Sequence, residues 1–114
     1  MPQFAVYRNP GRNTEIPFVL QVQSTRYDAS RGRVVVPLVK CDASGPPDHP
    51  LTPHLQVQGQ AVFANPMDLA TVPAARLGPI LEVLGERDQD RIILAIDELV
   101  SRAYPVSMSS TQRS

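Results

Sequence analysis

The chain has 114 residues, with 11 basic and 11 acidic side chains, one cysteine, 12 prolines and no tryptophan. This length suits one domain that buries roughly two-thirds of its unfolded-state surface. A formal net charge of +0 excludes a nucleic-acid binder that relies on bulk attraction to phosphates, and a single Cys41 forbids an internal disulfide and most thiolate metal sites.

The first predicted element is a short strand over residues 3–7, with Phe4 and Val6 on one face and Gln3, Ala5 and Tyr7 on the other. Asn9-Pro10-Gly11 marks a turn. A second strand covers residues 16–23, with Phe18, Leu20 and Val22 alternating against Val19, Gln21 and Gln23. That alternation predicts one packed face and one partly wet face. A polar connection leads to a β-branched run, residues 33–39, read as a buried strand in which Pro37 must sit at a bulge, edge or end.

Residues 41–53, with Gly45, Pro46, Pro47, Pro50 and Pro53, predict a loop. Leu55-Gln56-Val57 and residues 60–64 flank Gln58-Gly59, which predicts a two-residue hairpin turn. Residues 67–72 read as a semi-apolar link, and residues 79–85 as one helical turn opened by Pro79 and stopped by Gly85. The one long helix spans residues 88–103, with Asp88 as its cap and Arg102 near its C-terminus. Ile92, Ala95, Ile96, Leu99 and Ala103 form its apolar stripe, which Ile93 and Val100 widen. Residues 1–104 are thus one domain, followed by a polar tail over residues 105–114. Strands followed by a terminal helix predict an α+β fold: a bent antiparallel sheet or partial barrel with a small β-hairpin and a C-terminal helix.

The chain offers little catalytic chemistry. Cys41 and His49 lie close in sequence, but no neighbour supplies the orienting group that a nucleophile–base pair needs. His49 and His54 are separated across Pro50 and Pro53, without thiolate or acidic partners at metal spacing, so no metal or other cofactor is expected. The six glycines are scattered and form no phosphate cradle. Asp88/Asp90 and Asp97/Glu98 read as helix capping and a solvated face. Arg26, Arg31 and Arg33 beside Tyr27 form a small basic turn. No apolar run approaches the ~20 residues that cross a bilayer, and the N-terminus has no basic region followed by a long apolar one, so a cytoplasmic, membrane-free protein is expected. A binding module that is not an enzyme is the expectation from these residues.

Several segments together resemble the CcdB family. They are Gln3-Phe4-Ala5-Val6-Tyr7, Phe18-Val19-Leu20-Gln21-Val22-Gln23-Ser24, Gly32-Arg33-Val34-Val35-Val36-Pro37-Leu38, Met67-Asp68-Leu69-Ala70-Thr71-Val72-Pro73, the Leu77-Gly78 break, and Ala95-Ile96-Asp97 in the terminal helix. The resemblance implies a homodimeric toxin with a fold shared with the MazF and Kid endoribonuclease toxins. It implies a non-enzymatic poison that binds the A subunit of DNA gyrase and traps its cleaved DNA complex, as in plasmid maintenance. A CcdA-like antitoxin would neutralise it, and the pair would repress its own operon, touching DNA only through the antitoxin.

Carried over by position, Ser24 matches a contact residue of the family, Arg26 and Tyr27 replace aliphatic residues, and Asp97 replaces an amide. Ser101-Arg102-Ala103 stand where the family ends in Trp-Gly-Ile, and Tyr104 is the next aromatic residue. These seven positions, Ser24, Arg26, Tyr27, Asp97, Ser101, Arg102 and Tyr104, are the expected target- or antitoxin-binding residues. Two alternatives remain: a relative that keeps only dimerisation and antitoxin binding, and a MazF-like mRNA endoribonuclease using His54 and Arg33.

Overall fold

Alternation in the first strands brings them together edge to edge. β1 (Ala5–Arg8) pairs with β2 (Phe18–Gln21), and β2 pairs with β3 (Gly32–Lys40), all antiparallel. The register sets Val6, Leu20 and Val36 in one cross-strand row and Tyr7, Val19 and Pro37 in the next. These assignments come from a computed structural model that describes residues 3–27 and 30–103, without the side chains of Tyr27, Arg102 and Ala103. The expected tail, residues 105–114, and Tyr104 lie outside the described residues.

The upper half of β3 pairs with β5 (Gln60–Ala64), which pairs in turn with β4 (His54–Val57). Its lower half pairs with β6 (Ala70–Pro73), through Arg33↔Val72 and Val35↔Ala70. Pro37 lies inside the strand, where the outer neighbour changes from β6 to β5. A missing N–H costs no ladder bond in that gap, and the Pro37 carbonyl accepts from the Asn65 N–H at 3.1 Å.

The β4–β5 turn has φ of 51° at Gln58 and 75° at Gly59, the two left-handed residues of a primed hairpin turn. No atom lies within 4 Å of a Cβ added at Gly59, so only backbone strain opposes a side chain there. Gly59→Ala is expected to cost about 1–2 kcal/mol, read as a lower urea midpoint with an unchanged slope.

Two links differ from the sequence reading. Residues 67–72 include β6, preceded by a single 3-10 turn at Pro66–Asp68. Residues 79–85 form no helical turn: Glu82–Val83 is a short strand, β7, paired with Ala5 and Val6 of β1. Its flanking amides donate to distant carbonyls, Leu81 N–H to Val6 at 2.8 Å and Leu84 N–H to Phe4 at 3.1 Å. Nonlocal bonds thus override a local Pro…Gly helix signal.

The sheet order is β4-β5-β3-β2-β1-β7, with β6 beside β3. The two ends meet through Gln58, whose side-chain amide donates to Glu82 Oε1 at 2.8 Å and to the Leu81 carbonyl at 3.4 Å. The result is a curled antiparallel half-barrel. α1 (Glu86–Ala103) begins two residues earlier than the sequence suggests, so Asp88 lies in its first turn and is not its cap. Gly85 immediately precedes the helix, and its carbonyl accepts from the Gln89 N–H at 2.9 Å.

Both sheet faces are covered. Phe4, Val6, Leu20, Val36, Leu38, Val57, Val62 and Ile92 are among the core residues under α1. Ala5, Tyr7, Val19, Val35 and Leu77 form a second cluster on the opposite face. The expected wet face of β2 is therefore buried, and Gln21 is fully enclosed. Its amide is satisfied, accepting from the Tyr7 hydroxyl and donating to the Gln23 carbonyl, both at 3.4 Å, which is the condition for burying a polar group. Phe4 adopts φ of 66°, costly for a bulky residue. Its N–H donates to the Gln21 carbonyl at 2.7 Å while its own carbonyl is held by Leu84. The twist sends Phe4 into the helix-side core, whereas Ala5 faces the other cluster.

Candidate partner-binding surface

Among its described side chains, α1 turns Ile92 and Ala95 fully inward, with Ile96 packed at the margin. Ile93 and Val100 do not widen the buried stripe. They are 44% and 52% exposed, and Leu94 is 62% exposed. The core therefore covers a thinner stripe than the apolar content of α1 suggests. Asp97 and Ser101 are exposed on the same outward side.

The other expected contact residues lie on the β2–β3 connection. Ser24 precedes the 3-10 turn Thr25–Tyr27, and its hydroxyl accepts from the Arg26 N–H at 3.2 Å. Arg26 is exposed. Val22, two residues before Ser24, and Ile96, next to Asp97, pack against one core cluster. The β2 exit and the middle of α1 therefore flank the same core, though no hydrogen bond or ion pair among the described residues joins Ser24 or Arg26 to Asp97 or Ser101. The backbones of Tyr27 and Arg102 are placed in the 3-10 turn and in α1; their side chains, and Tyr104, lie outside the described residues.

A second feature was not visible in the sequence. The proline-rich loop is clamped to α1 through Asp48, whose carboxylate accepts from Arg91 at 3.0 Å and from the His54 N–H at 3.0 Å. Arg91 also reaches Asp88 at 3.2 Å. The i, i+3 pair is readable from helical spacing; the partner 43 residues away is not. The His54 N–H holds Asp48 below its ordinary value of 3.8. Partial burial opposes this, and the charges of Arg91 and His54 add to the lowering. The folded chain thus binds the Asp48 proton less tightly than the unfolded one. The clamp is fully present above the ordinary carboxylate pKa and is lost as pH falls through the lowered value. Asp48→Asn is therefore expected to destabilise the protein at neutral pH and to make no difference in stronger acid. The effect is small and weakens with salt, because the carboxylate side chain is 62% exposed. Urea midpoints of both proteins across pH check this.

Cys41 pairs with His54, not His49: Sγ lies 3.6 Å from Nδ1. His54 Nε2 lies 2.9 Å from the Pro46 carbonyl, which can only accept, so Nε2 carries the donated proton. Burial pushes the Cys41 thiol up, and Asp42 and Asp48 push it further. The pair therefore holds a protonated thiol, the opposite of an activated nucleophile. The partner was hidden because it depends on register: Lys40 faces Val62 and His54 faces Phe63. His49 instead bridges to Thr52 within the loop. Among the described residues, no three metal-ligating side chains cluster, and no helix is long and apolar enough to cross a membrane.

His54 and Arg33 do not share a site. Arg33 is buried at the start of β3, where its guanidinium donates to the Ser30 and Gly32 carbonyls. His54 faces Phe63, which faces Val39. The six residues from Arg33 to Val39 put about 20 Å along the strand between them, and two strand spacings add roughly 9 Å across.

On the sheet face opposite α1, a groove of about 210 Å³ runs over β2 and β3. It is lined by Ile16, Val19, Val35, Pro37, Ala70 and Val72, with Asn9 and Asp68. None of these described lining residues is a cation that could meet a phosphate.

Comparison with known proteins agrees with this architecture. No curated protein sequence matches the chain at a significant level. A solved structure that is similar, an endoribonuclease in complex with its cognate antitoxin from a mycobacterial species, superposes with a TM-score of 0.72 at 17% identity. The match covers 92% of this chain and 99% of that one. At that identity it shows a shared fold and no more. The family model described as CcdB protein matches residues 3–101, from before β1 into the last turn of α1. The strand blocks, the Leu77-Gly78 break and the terminal helix fall in one continuous match, and the chain belongs to the CcdB family, a family of toxin–antitoxin toxins.

Proposed function

We propose that this chain is a cytoplasmic, homodimeric toxin that binds the A subunit of DNA gyrase, traps its cleaved DNA complex, and is neutralised by a CcdA-like antitoxin. DNA is met only through those partners. The outward side of α1 carries the reading. Asp97 and Ser101 stand in solvent beside Ile93, Leu94 and Val100, at the positions the family uses for its target. A patch mixing exposed aliphatic and polar side chains suits a protein partner. The balanced charge fits as well, since a toxin working through protein contacts has no need of a phosphate-attracting field.

One observation favours a second reading, a relative that dimerises and binds antitoxin without poisoning gyrase. Ser101-Arg102-Ala103 replace Trp-Gly-Ile, and a central Trp anchor is commonly worth 2 kcal/mol or more. The endoribonuclease alternative has weaker support, given the distance between Arg33 and His54 and a groove whose lining residues include Asp68 and no cation.

The test is induced expression in a closely related host. Growth arrest, relieved by co-expressing a CcdA-like antitoxin, supports the toxin. Harmless expression together with tight antitoxin binding favours the non-poisoning relative. Harmless expression with no antitoxin binding overturns both.

A further inference from the structure

β4 is an edge strand, paired with β5 on one side. Two bonds fix which way its backbone groups point. The Ala64 N–H donates to the Pro53 carbonyl at 3.0 Å, and the Ala61 carbonyl accepts from the Cys41 N–H at 3.2 Å. Ala64 thus bonds toward β4 and Ala61 toward β3. By the alternation of an antiparallel ladder, Leu55 and Val57 bond to β5, while His54, Gln56 and Gln58 turn their N–H groups outward. The amides at both ends already have acceptors: Asp48 takes the His54 N–H and Glu82 Oε1 takes the Gln58 N–H, each at 3.0 Å. Gln56 lies midway and is exposed, and among the described residues nothing bonds its N–H or its carbonyl. A groove of about 290 Å³ runs along this edge, lined by His54, Leu55 and Gln56 and by Arg87, Asp88 and Arg91 of α1. Arg91 is held by Asp48 and Asp88. Arg87 is exposed and in no ion pair among the described residues, so its charge is open to a ligand.

We propose that this groove takes an extended segment of a partner protein, which pairs with β4 at Gln56 and sets an acidic side chain on Arg87. In strand addition the main-chain bonds supply affinity and the neighbouring side chains supply specificity. Here the open backbone groups and the open charge line the same groove. The planar guanidinium of Arg87 suits a carboxylate, which it can bind through two parallel bonds. The carboxylates of Asp48 and Glu82 stand where the carbonyls of a longer added strand would lie. They hold the contact to the residue opposite Gln56 and its immediate neighbours, as charged groups on an edge commonly do. A second copy of this chain fits poorly. Antiparallel pairing of two β4 edges about Gln56 sets His54 against Gln58, and with them the Asp48 carboxylate against that of Glu82. Like charges placed opposite each other destabilise such a pair. Arg87 and Ser101 are about 21 Å apart along α1, so this surface is separate from the outward face proposed for gyrase and stands whether or not gyrase is the target.

The test titrates the isotope-labelled full chain with a terminally blocked pentapeptide, Thr-Val-Glu-Val-Thr, at millimolar concentration and follows the backbone amides by NMR. The Gln56 amide is expected to shift saturably and to exchange its proton several-fold more slowly, while the amides of His54 and Gln58, which already have acceptors, stay nearly in place. The same peptide with Lys for its central Glu is expected to bind about tenfold more weakly. Arg87→Glu places an acidic residue in the first turn of α1, where the helix dipole favours it, and is expected to reverse the preference between the two peptides. A reversal requires a folded groove, so loss of structure cannot imitate it. No saturable shift at Gln56 with either peptide overturns the proposal, and so does equal binding of both peptides by both proteins. A Gln56 shift that grows with protein concentration in the absence of peptide also overturns it, because the occupant is then a second copy. No gyrase or antitoxin is in the sample, so a chain harmless to cells can still give the expected result.

Discussion

Ile92→Ala is expected to lower the unfolding free energy by about 3 kcal/mol, within the range for truncating a buried aliphatic side chain and leaving a cavity. Ile92 is 1% exposed and packs into the core beneath α1 with Leu20, Val36 and Leu38. Ala95 is the other fully inward residue among the described side chains of the helix, and it offers a single methyl group. The docking of α1 therefore depends on Ile92, with Ile96 and Leu84 at the edges. Leu94→Ala is two positions away and removes an equally large group, yet it should stay within about 0.5 kcal/mol because the side chain stands mostly in solvent. Urea titration of both variants separates them by midpoint. Equal losses would mean that α1 does not sit on the sheet by this face.

Val100→Asp is expected to do the reverse, leaving stability nearly unchanged and weakening the target. Val100 is 52% exposed, and Asp97 lies three residues before it on the same side. A carboxylate at position 100 places a second negative charge near Asp97 and removes an apolar side chain from the patch. If this face carries hot-spot contacts worth about 2 kcal/mol, affinity falls about 30-fold. Binding of purified gyrase A subunit by calorimetry measures it, with thermal unfolding as the control. Unchanged affinity would move the interface elsewhere on the protein.

The two substitutions also mark what could be read from the sequence. Helical spacing identifies α1 and its inward residues, because Ile92, Ala95 and Ile96 repeat at the period of the helix. It assigns Ile93 and Val100 to the core as well, since periodicity counts apolar residues and not the width of the sheet that must cover them. The Gln58-Gly59 hairpin is legible because turn chemistry is local. β6 and β7 are not, because strands of four and two residues exist only through pairing with β3 and β1. Gln21 reads as an outward residue, yet it is fully enclosed because Tyr7 comes across from β1 to meet its amide. The candidate surface divides in the same way. Asp97 and Ser101 follow from position on the helix, whereas the Asp48 clamp and the Cys41–His54 pair depend on contacts that only the folded register creates.

Poisoning of gyrase by protein contact, as proposed, has a direct readout. Purified gyrase, supercoiled DNA, ATP and this chain, followed by denaturant and protease, test it most directly. Accumulation of linear DNA, suppressed when the antitoxin is added first, is the predicted result. Unperturbed supercoiling with no linear DNA, together with cleavage of RNA by the same preparation, would contradict the claim and return the protein to the ribonuclease branch of its fold.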